Sequence, residues 1–235
     1  MLYFFDYDKD GLQDIYVSND KEENINRLYK NLGDGVFQDV SESSNAGVDV
    51  SAMSTTLGDF NNDGWFDIYI TNTPFSQVSS IQGNVLLKNN GDGTFTNVAT
   101  ETGTSFDSVG WGSVFLDADN DGLLDIYVSS SENGNGSLIS SAFYHQQDDE
   151  TFTIPQDIGF NTDLRESYTN AIGDINNDGK PEIVVGNDTD NNFLWQNNTL
   201  NENNWLKVKL EGVVSNKDGI GNTIEINVDG KSQYR

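Results

Sequence analysis

The stretch Asp6-Tyr7-Asp8-Lys9-Asp10-Gly11-Leu12-Gln13-Asp14 runs directly into Ile15-Tyr16-Val17, and the same grammar returns three more times. DFNNDGWFD at 59–67 precedes Ile68-Tyr69-Ile70, DADNDGLLD at 117–125 precedes Ile126-Tyr127-Val128, and DINNDGKPE at 174–182 precedes Ile183-Val184-Val185. The copies start 53, 58 and 57 residues apart. A nine-residue acidic loop of the form Asp-x-Asp/Asn-x-Asp-Gly-x-x-Asp/Glu, always followed by a β-branched run, is one unit used four times.

Working outward from the loop, each copy has a short apolar or alternating run before it: Tyr3–Phe5, Ser54–Leu57, Ser113–Leu116 and Asn170–Ile172. A variable stretch of 10, 15, 14 or 8 residues follows the Ile-rich run. A third strand is expected at Leu28–Asn31, Leu86–Asn89, Phe143–Gln146 and Leu194–Asn197. Gly33-Asp34-Gly35 and Gly91-Asp92-Gly93 supply the positive φ of a tight hairpin, and a fourth strand opens at Phe37, Phe95 or Phe152. Four short antiparallel strands in about 55 residues match one propeller blade. The expected class is all-β: a propeller of four-stranded antiparallel blades over residues 1–200, then a small β module over 203–235. In that module Trp205–Leu210 and Thr223–Val228 alternate apolar with polar, as half-buried strands do. Asp229-Gly230 reads as a turn.

The loop chemistry points to a hard cation. Calcium takes six to eight oxygen ligands in a flexible shell. Loop positions 1, 3, 5 and 9 offer side-chain oxygens, and position 7 can add a backbone carbonyl. The candidate ligands are Asp6, Asp8, Asp10 and Asp14; Asp59, Asn61, Asp63 and Asp67; Asp117, Asp119, Asp121 and Asp125; and Asp174, Asn176, Asp178 and Glu182. Gly11, Gly64, Gly122 and Gly179 allow the chain to reverse around the ion. The second and fourth loops carry an amide in place of one carboxylate and are expected to bind more weakly. An EF-hand would need a glutamate at position 12 and flanking helices; position 12 here is Val17, Ile70, Val128 or Val185 inside β runs. Zinc and copper lack their His and Cys ligands. The bland alternative is four plain Asp/Asn/Gly turns, which leaves three or four carboxylates repelling one another in nine residues.

Bulk composition agrees. Acidic residues outnumber basic ones 38 to 12, for a net charge of −26. That opposes nucleic-acid phosphates, which require Lys and Arg, and anionic membrane surfaces. The loops hold 14 of the 38 carboxylates, and four divalent ions would bring −26 to −18. With no cysteine there is no disulfide or thiolate site, so bound metal is the available staple. No apolar run approaches a membrane span. Both ends of the chain read as cutting through structural units, so a fragment is expected.

These residues resemble the FG-GAP-like (VCBS) repeat, the calcium-loop blade of integrin α-chain propellers and of many bacterial secreted proteins. Asn26–Phe37 and Leu86–Phe95 look like the outer half of such a blade. The segment from Asn204-Trp205-Leu206 through Lys217-Asp218-Gly219-Ile220-Gly221 resembles the start of an ASPIC/UnbV domain. The resemblance implies a parent with seven or eight blades, of which four are present here as an open arc. It also implies an extracellular, calcium-binding protein of about four sites, used in adhesion or in binding a protein or glycan through the variable-loop face. The third copy departs from the pattern, with Gln147-Asp148-Asp149-Glu150 in place of the turn glycines.

Catalysis is not expected. The single His145 aligns with Lys30 and Lys88 and reads as an edge residue. A calcium-assisted lyase would need a base, and Lys21, Arg27, Arg165 and Tyr168 show no mutual pattern. The competing reading is an accessory propeller of a secreted polysaccharide-degrading enzyme. Phe75, Phe106, Phe160, Tyr168 and Trp111 are candidate ligand-binding aromatics, or else plugs between blades. Asn135, Asn187 and Asn197 begin glycosylation triplets of the kind an Asn-rich chain contains by chance.

Overall fold

The computed structural model describes residues 1–20, 24–73, 81–106, 108–130, 141–156, 158–160, 165–214 and 216–235. Each acidic loop is the connection of an antiparallel hairpin. The pairs are β1 (Leu2–Phe5) with β2 (Asp14–Val17), β5 (Ala52–Gly58) with β6 (Asp67–Asn72), β9 (Gly110–Leu116) with β10 (Asp125–Ser130), and β13 (Ser167–Gly173) with β14 (Glu182–Asn187). Third strands are β3 (Arg27–Asn31), β7 (Val85–Asn89), β11 (Ser141–Gln146) and β15 (Phe193–Trp195). Fourth strands are β4 (Phe37–Asp39), β8 (Phe95–Asn97) and β12 (Phe152–Thr153). The result is three four-stranded antiparallel sheets, ordered as the chain runs, and a three-stranded fourth sheet. The chain is all-β, built of propeller blades; the one helix among the described residues is the single turn α1 (Ala99–Thr102).

Period-two alternation makes every strand two-faced. On the second strand, Ile68 and Ile70 pack backward with Phe5, Tyr7 and Tyr16 of the first blade. Ile126 and Val128 pack backward on Phe60, Tyr69 and Leu86 of the second. Ile183 and Val185 pack backward on Leu116, Tyr127 and Phe143 of the third. The core is therefore three slabs between successive blades. The forward-facing tyrosines bury their rings and still satisfy their hydroxyls: Tyr16 donates to the Ala46 carbonyl at 3.0 Å and Tyr69 to that of Thr104 at 2.9 Å.

A polar bond recurs at every junction. The side-chain amide at the end of a third strand, or two residues past it in the fourth blade, donates to the backbone carbonyl of the second loop residue in the preceding blade. The pairs are Asn89 to Tyr7 (2.9 Å), Gln146 to Phe60 (2.8 Å) and Asn197 to Ala118 (2.7 Å). Acidic loops thus serve as docking points for the next blade.

Antiparallel order places the acidic loops and the third-to-fourth-strand turns at one end of the blades, and the variable connections at the other. The C-terminal hairpin of β16 (Glu225–Val228) and β17 (Lys231–Tyr234) lies at the acidic-loop end. Tyr234 and Gln233 sit against Gly64 and Gly122, and Trp205 against Gly179.

One expectation needs correction, and two open readings resolve. Trp205–Leu210 forms no strand, and Trp205, Leu206 and Val208 are exposed; alternation makes a strand only where a neighbour offers an edge, and no described strand pairs with it. The third blade keeps its hairpin turn without glycine, because Glu150 takes the left-handed conformation (φ 65°) and Thr151 donates its N–H to Asp149. Phe106 is fully buried between blades, and Phe160 packs on Tyr127, Phe143 and Trp195, so these two are plugs. Trp111 meets the ring of Tyr168 edge-on at 4.7 Å. Phe75, Lys21 and Asn135 lie outside the described residues. The Nδ2 atoms of Asn187 and Asn197 are engaged by backbone carbonyls.

Asn31 makes the same local bonds as Asn89, to Gln13 O and from Gly33 N, but its Nδ2 reaches no loop of another blade among the described residues. Asn89→Ala is expected to lose roughly 1–3 kcal/mol of unfolding free energy, the cost of stranding a buried carbonyl, and Asn31→Ala clearly less. Urea unfolding followed by tryptophan fluorescence measures the difference; equal losses would remove the junction role.

Candidate metal centre

Each acidic loop is folded by its own carboxylates. The backbone is left-handed at position 4 (Lys9, Asn62, Asn120, Asn177; φ 54–59°) and at position 6 (Gly11, Gly64, Gly122, Gly179; φ 84–90°). Glycine adopts that region without strain, and asparagine is the side chain that tolerates it best. The position 1 carboxylate caps the reversal. Asp6, Asp59 and Asp117 each accept the N–H of positions 5 and 6, and Asp174 accepts that of Asp178. Position 5 in turn accepts the N–H of position 7, from Leu12, Trp65, Leu123 and Lys180.

Position 9 is buried, and does the structural work of the hairpin. One oxygen accepts the N–H of loop position 2: Tyr7 to Asp14, Phe60 to Asp67, Ala118 to Asp125 and Ile175 to Glu182. In the first three blades the other oxygen accepts the N–H of the last third-strand residue: Asn31, Asn89 and Gln146, at 2.7, 2.8 and 2.9 Å. The carboxylate therefore clamps loop and third strand together.

The loops differ where their compositions differ. In the second and fourth, Asn61 and Asn176 donate Nδ2 to Asp63 and Asp178 at 2.8 and 2.9 Å, so the amide closes the loop internally. In the first and third no such donor exists. Carboxylate oxygens of Asp6, Asp8 and Asp14 converge within 4.8 Å of one another, as do those of Asp117, Asp119 and Asp121. Asp8 Oδ1 is buried with no hydrogen-bond partner, and so is Glu182 Oε1 in the fourth loop. The donors are all oxygen, which suits a hard cation and not a thiophilic one. All sixteen sequence-derived ligand positions lie within these four loops; the clusters of three converging acids are in the first and third.

Sequence reasoning missed the cations set against these acids. Lys30 on β3 pairs with Asp8 and, at 3.3 Å, with Asp10. His145, expected at an edge, is half-buried on β11 with Nδ1 3.0 Å from Asp125. Arg235 and Lys207 reach Asp117 and Asp174 at 3.8 Å. The signal was available: the third-strand residue paired with loop position 9 is preceded by Lys30, Lys88 or His145, and Lys88 alone turns away, to Glu150 at 2.9 Å. The proposed lyase bases do not assemble. Arg27 pairs with Asp39 at 3.1 Å, and Arg165 lies over the Phe193 ring.

Burial, aided by neighbouring carboxylates, raises Asp14, Asp59 and Asp117 to about 6, and it raises Asp67 well above its ordinary value. The hydrogen bond to Asp125 raises His145. A second concavity, a cleft of 360 Å³ between the third and fourth blades, is lined by Phe143, Phe160 and Trp195. Its walls are the inter-blade aromatics already described.

Repeated acidic-loop hairpins in stacked four-stranded sheets define a class of propeller repeat, and the comparisons agree. The FG-GAP-like repeat matches residues 6–70 and 76–128, half of the chain. The FG-GAP repeat matches residues 168–199. The chain belongs to the FG-GAP-like repeat family. No curated protein matches it. Among solved structures it is similar, at 11% identity and a TM-score of 0.41, to a GH43 glycoside hydrolase engineered at its active site to display both endo-xylanase and exo-arabinofuranosidase activity. That match covers 82% of this chain, which spans 37% of the other.

The raised carboxyls hold protons more tightly in the folded, ion-free protein than in the unfolded chain. Their penalty is present at pH 7 and disappears as pH falls through about 6 toward 4. Raised His145 acts in the same direction, adding stability that is lost as pH rises through its folded value. Asp10, Asp39, Asp92 and Asp149 are lowered by hydrogen bonds, and their stabilisation is lost only as pH falls below the ordinary carboxylate value of 3.8. In chelator, the melting temperature is therefore expected to be higher at pH 5 than at pH 7.5. Differential scanning fluorimetry checks it, and a monotonic fall on acidification would contradict the assignment.

Proposed function

We propose that this chain is a non-catalytic, calcium-stabilised propeller segment of a secreted or surface-attached protein that binds a protein or glycan ligand. The observation that carries the reading is the convergence of Asp6, Asp8 and Asp14, with Asp8 Oδ1 buried and unpartnered, repeated at Asp117, Asp119 and Asp121. Bound calcium supplies positive charge and oxygen coordination where backbone amides leave carboxylate oxygens unmatched. In the first loop, Asp8 and Asp10 exchange the Lys30 ammonium for the ion. Asn61 and Asn176 already satisfy Asp63 and Asp178, so the second and fourth loops are the weaker sites.

The ligand face is the end carrying the variable connections, opposite the acidic loops. Among the described residues the C-terminal segment lies over the loop end, away from the variable connections. That segment, residues 203–235, is read as the beginning of an ASPIC/UnbV-like module following blades that span residues 1–200. The net charge of −26 argues against nucleic acid as a partner. No helix among the described residues is long and apolar enough to cross a membrane. An extracellular setting suits the loops, because extracellular modules bind calcium with a Kd as weak as about 10⁻⁴–10⁻³ M, and a chain without cysteine gains from calcium what others gain from disulfides.

At ten to a hundred times its Kd, each bound ion adds roughly 1.4–2.7 kcal/mol, so four sites add about 6–11 kcal/mol. That is comparable to the whole stability of a domain. Chelation is expected to lower the melting temperature steeply. Isothermal titration is expected to resolve two tighter and two weaker sites, and Asp8→Asn with Asp119→Asn to convert the tighter pair to the weaker class. A melting temperature indifferent to calcium would end this reading. A glycan array probed in calcium and again in chelator tests the ligand class.

A further inference from the structure

Residues 203–235 lie across the acidic-loop end, and their charge differs from that of the rest of the chain. They hold five of the twelve basic residues and four of the thirty-eight acidic ones, a net +1 against −27 for residues 1–202. Their contacts fall on the loops themselves. Trp205 fills the space a side chain would need at Gly179, and Gln233 does so at Gly122. The Tyr234 ring lies against Gly64, with the Lys9 ammonium 5.9 Å from its centre. Asn203 donates to the Asp119 carbonyl at 3.0 Å.

Two cations of this segment face candidate ligands. The Arg235 guanidinium donates to the Gly122 carbonyl at 3.3 Å, stands 3.8 Å from Asp117 Oδ2, and is also set against Asp59. Lys207 Nζ is 3.2 Å from Asn177 Oδ1 and 3.8 Å from Asp174 Oδ2. The two differ in weight. Lys207 is 65% exposed, so water and salt screen it, whereas Arg235 is 32% exposed beside an Asp117 that is 21% exposed. At the first loop the segment brings no such charge: among the described residues those acids pair with Lys30 of their own blade. Apolar burial does not dominate the attachment, because Trp205, Leu206, Val208 and Val228 remain exposed. A contact held in this way answers to charge.

We propose that calcium and the C-terminal segment compete at the third loop, so that ion binding loosens the segment from the blades and the docked segment lowers calcium affinity. The inference rests on calcium occupying the loops as proposed above. Arg235 does for the third loop what Lys30 does for the first: it sets one positive charge against converging carboxylates. A divalent ion among Asp117, Asp119 and Asp121 repels a guanidinium held beside the same oxygens. A ligand moves an equilibrium by its differential affinity for the two states, and linkage makes the effect reciprocal. Whatever factor the segment takes from calcium affinity, calcium takes from docking. At low calcium the loop end holds the segment; at high calcium it releases it.

Calcium calorimetry of the whole chain tests this on two backgrounds. Asp8→Asn leaves the third loop as the tighter site. There Arg235→Gln is expected to tighten calcium binding about tenfold, and Arg235→Lys, which keeps the charge, to return it toward the original value. Asp119→Asn leaves the first loop as the tighter site, and there Arg235→Gln is expected to change nothing. The chain has no cysteine, so fluorophores on Thr96→Cys and Asn227→Cys, both exposed positions, report docking directly. Energy transfer between them is expected to fall as calcium is added, and to fall less in Arg235→Gln. An affinity unmoved or lowered by Arg235→Gln would overturn the proposal, and so would an equal gain on both backgrounds. Transfer that calcium leaves unchanged or raises would overturn it too. In each of these cases persisting calcium heats keep the loops as calcium sites, whereas a chain that binds no calcium loses both readings.

Discussion

A buried carboxylate that accepts two backbone amides is the constraint on which this architecture rests. Asp14, Asp67 and Asp125 each take one N–H from the start of their own loop and one from the end of the third strand. An ionised group inside a protein is tolerable only when such donors replace its water. The pair of bonds sets where the loop closes and where the third strand ends, and so determines the register of the outer half of the blade. Moving the acid by one residue would point it at the wrong face of the sheet.

From that clamp the order propagates outward. The N–H of loop position 2 is held by the carboxylate, while its carbonyl accepts the side-chain amide of the following blade. The same peptide segment is thus bonded on both sides. Loop geometry and blade stacking become one cooperative unit, as in other repeat architectures whose units cannot bury their faces alone. The acids at positions 1, 3 and 5 then have little freedom. They converge because the backbone is already reversed, and the resulting repulsion is relieved by Lys30, by the Asn61 and Asn176 amides, or by an ion.

Much of the fold was legible before any coordinates. The loops at Asp6, Asp59, Asp117 and Asp174 lie between paired strands as the Ile-rich runs demanded, and Phe37, Phe95 and Phe152 open fourth strands. The alternation at Thr223–Val228 with Asp229-Gly230 produced the C-terminal hairpin. Trp205–Leu210 shows the limit of the same logic: alternation is a property of one strand, whereas a sheet needs two. Phe106 and Phe160 were ambiguous because a ring has the same composition whether it faces a ligand or a neighbouring blade.

Local chemistry by itself determined the repeat, the hairpins and the set of candidate oxygen ligands, since these depend on spacing, φ preference and charge within nine residues. Tertiary structure alone decided which groups answer those charges. Lys30 finds Asp8 from 22 residues away, His145 finds Asp125 from 20, and Asn89 finds Tyr7 from 82. Such partners meet because stacked blades bring distant positions together at one end; their positions recur with the repeat, but which group each one meets is set only by the stacking.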